Sequence, residues 1–533
     1  MRLRSAGARV RLATVAVLVS AVVAACGSSN NSDGGDASHP QDGGTLNIGL
    51  SADPGGVDAA VVNQVWRTSA RALSDSLVFY NPDTKKLEPW LATKWTVDPN
   101  ARVYHFWLRD DVTFHDGTKM TGEVVKENLE SLNRPGIHSS AKTIVAGIQN
   151  ITVPSPDQVV VEFAQPNAAF LTNLSRAYVG IVSAKTAALP VTERQKWLDG
   201  SGPFYLESYT PGQEIVLKKR PEYHWAPAYF GRTGPARLDS VVYKIIPEDS
   251  VRNGAVIGGK ELQFIYWVNG KYVDQLKAAG LKISETLNPG TGTEVPVNTS
   301  APFLKDVRVR QALQIGINRD EYVKLVSKGY DKPARGPLSP ANPYFVDESQ
   351  YLKYDPAKAK SLLDAAGWDR VGSDGIRINK QGQRLVLRAA QDDAGWQALQ
   401  SQWRKIGVQV DLDPPLAAEA NQKLLSGEYD LAYWYHSTPD PDLLRANYGK
   451  ITGSNRSFLP DGTLVDKLLQ QQNTVIDYNA RKAIVAKASQ ELVQQAYTIP
   501  VVNDVDIWAY QPKLHDIKAV GLDQYLYNAW LAN

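Results

Sequence analysis

The chain has 533 residues, 58 basic against 56 acidic side chains, seven histidines and one cysteine. So even a balance argues against an electrostatic nucleic-acid binder, and a lone cysteine excludes an internal disulfide framework. The length exceeds what one hydrophobic core usually serves, so two or three domains are expected.

The first eleven residues carry Arg2, Arg4, Arg9 and Arg11 and no acid, and Leu12 to Ala25 is then almost wholly apolar. This is the layout of a signal peptide, predicted over 1–25. A permanent span needs roughly 20 apolar residues, and this run is too short. It ends in Val23-Ala24-Ala25-Cys26, which resembles a lipobox, so Cys26 is expected to carry a diacylglycerol and a palmitate after cleavage. Without the four leader arginines the chain holds 54 basic against 56 acidic residues, a formal charge near −2. No later stretch reads as a membrane span, which makes the lipid the only predicted attachment to the outer face of the cell membrane. Gly27 to Gly43 has almost nothing to bury and is read as a flexible tether. Its 17 residues would hold the body roughly 20–25 Å from the lipid.

Alternation predicts a strand at Thr45–Leu50, followed by a turn at Asp53-Pro54-Gly55-Gly56. A helix is predicted over about 63–77, a strand over 104–109, and a helix over 122–132 capped by Thr121. Farther on, Asp306 caps a helix over 307–317. Asp355 followed by Pro356 opens another helix, which Gly367 stops. Residues 385–389, 396–406, 408–412, 416–425 and 429–434 read strand, helix, strand, helix, strand, the order of parallel crossovers. A long helix over 479–496 precedes a strand at 498–502. The class is α/β.

Leu91-Ala-Thr-Lys-Trp95 and Tyr104-His-Phe-Trp-Leu-Arg109-Asp-Asp-Val-Thr-Phe114-His-Asp116-Gly117 resemble the signature of family 5 extracellular solute-binding proteins, the oligopeptide, dipeptide and nickel-type receptors of ABC importers. Further likeness lies in Ser201-Gly202-Pro203-Phe204, Asn298-Thr-Ser and Val307-Arg-Val-Arg310. The resemblance implies a two-lobed periplasmic-binding-protein type II fold with an extra domain inserted in the first lobe and a solute enclosed between the lobes. Mapped here, the lipidated cysteine and tether take 26–42 and the first lobe 43–85, 200–294 and 496–533. The inserted domain takes 86–199 and the second lobe 295–495. The implied partners are ABC permease and ATPase subunits, and the receptor is expected to be a monomer without enzymatic activity, cofactor or metal.

Peptide-binding members carry a pattern like Trp-x-x-Asp-x-x-(Asp/Glu)-Pro, whose first aspartate pairs with a peptide ammonium. Here the stretch is Trp434-Tyr-His-Ser437-Thr-Pro-Asp440-Pro441-Asp442, with Ser437 in the place of that aspartate. A hydroxyl does not compensate a buried ammonium. Either Asp440 or Asp442 substitutes, or the solute lacks an amine at this corner, as an oligosaccharide or glycoside would. Trp434 and His436 at the end of a predicted strand are further ligand candidates, as are Asp53, Trp267 and Trp396, whose bland readings are a turn cap for the aspartate and packed walls for the tryptophans. His436 alone does not make a metal cage, since no His-x-His or Cys-x-x-Cys spacing accompanies it. Two other classes fit less of the sequence: a hydrolase using Asp440 and Asp442 as paired acids, and a sensory lipoprotein without transport.

Overall fold

A computed structural model describes residues 39–62, 69–137, 139–416, 419–450, 454–520 and 523–532. Cys26, the signal peptide and most of the tether lie outside the described residues, as does the beginning, 63–68, of the helix predicted over about 63–77, of which Ala70–Leu73 is seen. The tether's end is already fixed: Arg237 pairs with Asp42, and the Gly43 amide donates to the Arg237 carbonyl at 2.8 Å.

The first lobe is built on a seven-stranded mixed sheet in the order Lys282–Leu287, Val505–Tyr510, Phe264–Ile265, Thr45–Leu50, Ser240–Ile245, Glu214–Lys219, Phe204–Thr210. Thr45–Leu50 runs parallel to both neighbours and has Leu46, Ile48 and Leu50 fully buried. Spaced two apart, these three leucine and isoleucine side chains share one face of the strand and bury it in the core. A second unit, a four-stranded antiparallel sheet, has the order Ala92–Val97, Val103–Leu108, Gln158–Phe163, Ile148–Ser155. In Val103–Leu108 the side chains of Tyr104, Phe106 and Leu108 are buried, while His105 and Trp107 stack on the other face with centroids 3.9 Å apart. Thr121 caps the helix Gly122–Ser131 through the Val124 amide, as its sequence predicts.

The second lobe packs helices against short strands. Val386–Ala389 and Gln409–Leu412 are parallel, with the helix Ala394–Arg404 between them, the crossover predicted from the alternating pattern. Asp306 and Asp355 cap their helices, and Gly367 takes φ +89° just beyond the second. The strand expected over 429–434 is reduced to single bridges, Leu431 to Val297 and Ala389, and Trp434 to Glu294. Its segment is squeezed between two others and pairs with neither for long.

Two segments cross between the lobes. One joins Lys282–Leu287 to Thr293–Pro296, and the other is Asp504, between Thr498–Asn503 and Val505–Tyr510. Thr498–Asn503 pairs with Thr293–Pro296 and Lys332–Pro333, whereas Val505–Tyr510 pairs within the seven-stranded sheet, so Asp504 stands between the two sheets. This residue ties the crossings together. Its carbonyl accepts from the Asn288 amide at 3.1 Å and its Oδ1 from Thr293 Oγ1 at 2.7 Å. Burial, reinforced by nearby Asp331, pushes its carboxyl up to about 7.

Candidate functional site: the cleft between the lobes

A narrow cleft of about 40 Å³ lies where the lobes meet. One wall carries Tyr80, Ser175, Arg176, Val520, Asp523 and Tyr525, and the other carries Pro289, Ser437, Thr438 and Pro439. Arg176 reaches across it, with Nη2 donating to the Ser437 carbonyl at 3.4 Å.

The first wall is anchored by Arg71, which is fully buried. Its Nε donates to Asp523 Oδ2 at 3.1 Å, its Nη1 to Ser76 Oγ at 2.7 Å and its Nη2 to the Ser175 carbonyl. The guanidinium also lies 5.6 Å from the centre of the Tyr525 ring. One buried cation therefore fixes Asp523, the carbonyl beside Arg176 and an aromatic face of the cleft, and these hydrogen bonds are what make its desolvation tolerable.

On the second wall the carboxylates turn inward. Asp440, 2% exposed, receives Nη1 and Nη2 of Arg481 at 3.0 and 2.7 Å. Asp442 receives Nε and Nη2 of Arg445, both at 2.6 Å, and Nε2 of Gln472 at 2.6 Å. Gln472 also accepts from Arg481 Nε at 3.0 Å, closing the network. Bidentate pairs of this kind are the strong ones. Neither aspartate is therefore placed to replace the carboxylate missing at position 437. The same engagement takes from a hydrolase reading the two acids on which it depended. The wall itself is lined by Pro289, Ser437, Thr438 and Pro439, with the Thr438 hydroxyl accepting from the Asp440 amide at 3.4 Å.

The other sequence candidates are dispersed. Trp434 is half-buried, donates Nε1 to Asn447 Oδ1 at 3.0 Å and has the Arg456 guanidinium 3.1 Å from its ring centre. His436 Nδ1 lies 3.4 Å from the same Asn447 oxygen. Tyr433 and Tyr435, two apart, point to different surroundings: Tyr433 packs against Trp396 with ring centres 4.5 Å apart and meets Tyr322 by a 2.7 Å hydroxyl contact, while Tyr435 is 41% exposed. Trp396 is fully buried in the second lobe's core, away from the cleft lining. Asp53 caps its own turn, accepting from the Gly55 amide at 2.7 Å and from Tyr209 Oη at 2.6 Å. Trp267 packs against the first lobe's core with φ +48°, a left-handed conformation that is costly for an aromatic residue.

The family model for bacterial extracellular solute-binding proteins, family 5 (middle) matches residues 86–456. The chain belongs to this family. A probable D,D-dipeptide-binding periplasmic protein of Escherichia coli is 28% identical over 511 residues, covering 89% of this chain and 92% of that protein. A dipeptide-binding protein of the same organism is 27% identical, over 86% and 88%. Among solved structures, a Brucella suis NikA in complex with Fe(III)-EDTA has a TM-score of 0.80 at 22% identity, over 92% of this chain and all of that one. A PBP AgaA with agropinic acid from A. tumefaciens R10 has a TM-score of 0.75 at 24% identity, over 92% and 99%. The fold is thus the two-lobed type II α/β architecture, and the relatives are binding proteins of transporters rather than enzymes. Members of this family work outside the cytoplasm, and no helix among the described residues is long and apolar enough to cross a membrane.

Within this family member, Ser437 is the one sequence candidate that the structure sets on the cleft lining. Arg176, Asp523, Tyr80 and Tyr525 were not foreseen. They come from three separate places in the chain, Tyr80, Arg176 and the short strand Asp523–Tyr525, outside any motif, so no spacing signal announces them.

Proposed function

We propose that this chain is the lipid-anchored substrate-binding component of an ABC importer. Cleaved after Ala25 and held by a lipid on Cys26, it captures an extracellular organic solute between two lobes and passes it to permease subunits driven by separate ATPase chains. It acts as a monomer. We take the domains as expected from the sequence, but assign Thr293–Pro296 and residues 496–503 to the second lobe because these segments pair with each other. Family membership supports the capture role, and the leader ending in Val23-Ala24-Ala25-Cys26 supports the anchor.

The observation that carries the solute reading is the second wall, where Ser437 and Thr438 face the cleft while Asp440 and Asp442 are bound to arginines. A free ammonium would meet no carboxylate there. Across the gap, Arg176 suits an anionic group and Tyr525 an apolar or sugar face. Short peptides remain the solute class named for the relatives in sequence. Two similar folds holding Fe(III)-EDTA and agropinic acid show that such a scaffold also accommodates non-peptide carboxylates. We therefore favour a small carboxylate-bearing solute, either a peptide whose amine lies away from Ser437 or an amine-free compound.

Mass spectrometry of what the denatured protein releases tests this directly. A carboxylate-bearing solute whose affinity drops at least tenfold in Arg176→Gln is the expected result. A polycation, or an affinity indifferent to Arg176, would overturn it. Loss of lipid labelling in Cys26→Ser checks the anchor.

A further inference from the structure

The inserted four-stranded unit touches the second lobe at a point away from the cleft lining. The turn Asn167–Phe170, closed by the Phe170 amide on the Asn167 carbonyl at 3.0 Å, presents the Ala168 amide to the Asn473 carbonyl at 2.9 Å. Asn473 answers with its side chain, Nδ2 donating to the Pro166 carbonyl at 3.0 Å. Both residues are buried, at 9% and 8% exposure. Asn473 caps the end of the helix Leu464–Gln472, one residue beyond the Gln472 that holds Asp442 and Arg481. The contact therefore sits on the same rigid piece that positions the loop Ser437–Asp442.

We propose that the inserted unit is a second jaw, and that Asn473 is a positioning residue whose clasp on Pro166 and Ala168 sets how far the lobes stay shut. The proposal rests on the receptor reading only in that the lobes open and close. A closed form favoured by contacts outside the solute is reached at a lower cost in binding energy, because the solute needs to shift the equilibrium less. Both bonds join backbone carbonyls or amides that would otherwise return to water, so the clasp is worth about one net hydrogen bond per contact. That is enough to bias a balance between two forms without locking it.

The test needs no solute. The purified full chain, freed of solute by unfolding and refolding, is compared with Asn473→Ala, Ala168→Pro and, as a control, the exposed neighbour Thr474→Ala. Proline fits the second position of the Asn167–Phe170 turn while removing the amide donor. Amide exchange across residues 437–442 is expected to rise about fivefold in Asn473→Ala, the equivalent of one net hydrogen bond, and at least as much in Ala168→Pro. The radius of gyration from solution scattering should increase in both, with Thr474→Ala unchanged. Should Ala168→Pro fail to fold, Asn473→Ala decides alone. Exchange and radius unchanged in folded Asn473→Ala would overturn the clasp. A chain that releases no solute at all would instead count against the receptor reading, leaving this measurement intact.

Discussion

The two walls of the cleft use buried arginine–aspartate pairs in opposite senses. On the first wall, Arg71 is buried from below and its partner Asp523 lines the cleft. On the second, Asp440 and Asp442 are drawn inward by Arg481 and Arg445 and what remains at the surface is Ser437, Thr438 and Pro439. The first wall therefore carries charged groups on the cleft lining, and the second spends its charge on holding its own loop. On the proposed function, specificity for charged groups would be set mainly by one side, with the other supplying shape.

The sharpest way to break this contrast is to strand each aspartate in turn. Arg481→Leu leaves Asp440 buried without its partner, and a loss of about 3–5 kcal/mol is expected from the denaturant midpoint. Arg71→Leu leaves Asp523 on the cleft lining with the Ala177 amide still donating to its Oδ2 at 3.3 Å, and should cost clearly less. Equal losses would mean that the walls do not differ in the way described.

A second effect concerns pH. Burial pushes Asp75 in the first lobe and Glu294 in the second up to about 8, and Asp504 at the crossing up to about 7. Free carboxyls titrate near 4. Because the folded values are raised, the folded state holds protons that the unfolded chain has lost. The stability this gives is full below about pH 4 and is lost as pH climbs through about 7–8. Melting temperature should fall over that window, and Asp504→Asn should flatten its part of the slope up to about pH 7. An unchanged pH profile in Asp504→Asn would remove the crossing from this account.

Restoring a carboxylate on the neutral wall is a subtler probe. The Ser437 carbonyl already accepts from Arg176, so aspartate placed there is expected to pair with that guanidinium before it meets a solute. In an Arg176→Gln background, Ser437→Asp should raise affinity for dipeptides with a free amine about tenfold, close to 1.4 kcal/mol, by calorimetry. No gain would place solute amines elsewhere. The smallest change is expected from Asp53→Ala, which removes a turn cap distant from the cleft. It should cost about 1 kcal/mol of stability and leave solute affinity unaltered.

Much of the fold was legible in the sequence wherever the signal is local. Thr121, Asp306 and Asp355 each hydrogen-bond an amide two or three residues away, so their helices announce their own beginnings. Alternation marked Val103–Leu108 because one face is buried and the other is not. The segment 429–434 defeated the same logic. Its apolar pattern is real, but tertiary neighbours leave it only bridges.

The site was less legible, since a residue's type tells whether it suits a cleft but not whether it reaches one. Trp396 has the chemistry of a ligand platform and lies in the core, and Asp53 has that of an ammonium partner and serves a turn. By itself the sequence pointed to the family and the α/β class, raised the expectation of a leader and a lipid on Cys26, and carried serine at position 437. Tertiary structure alone decided that Asp440 is taken by an arginine 41 residues away and Asp523 by one 452 residues away. Local hydrogen bonds are written in neighbouring residues, whereas the partner of a buried charge is chosen by the path of the whole chain.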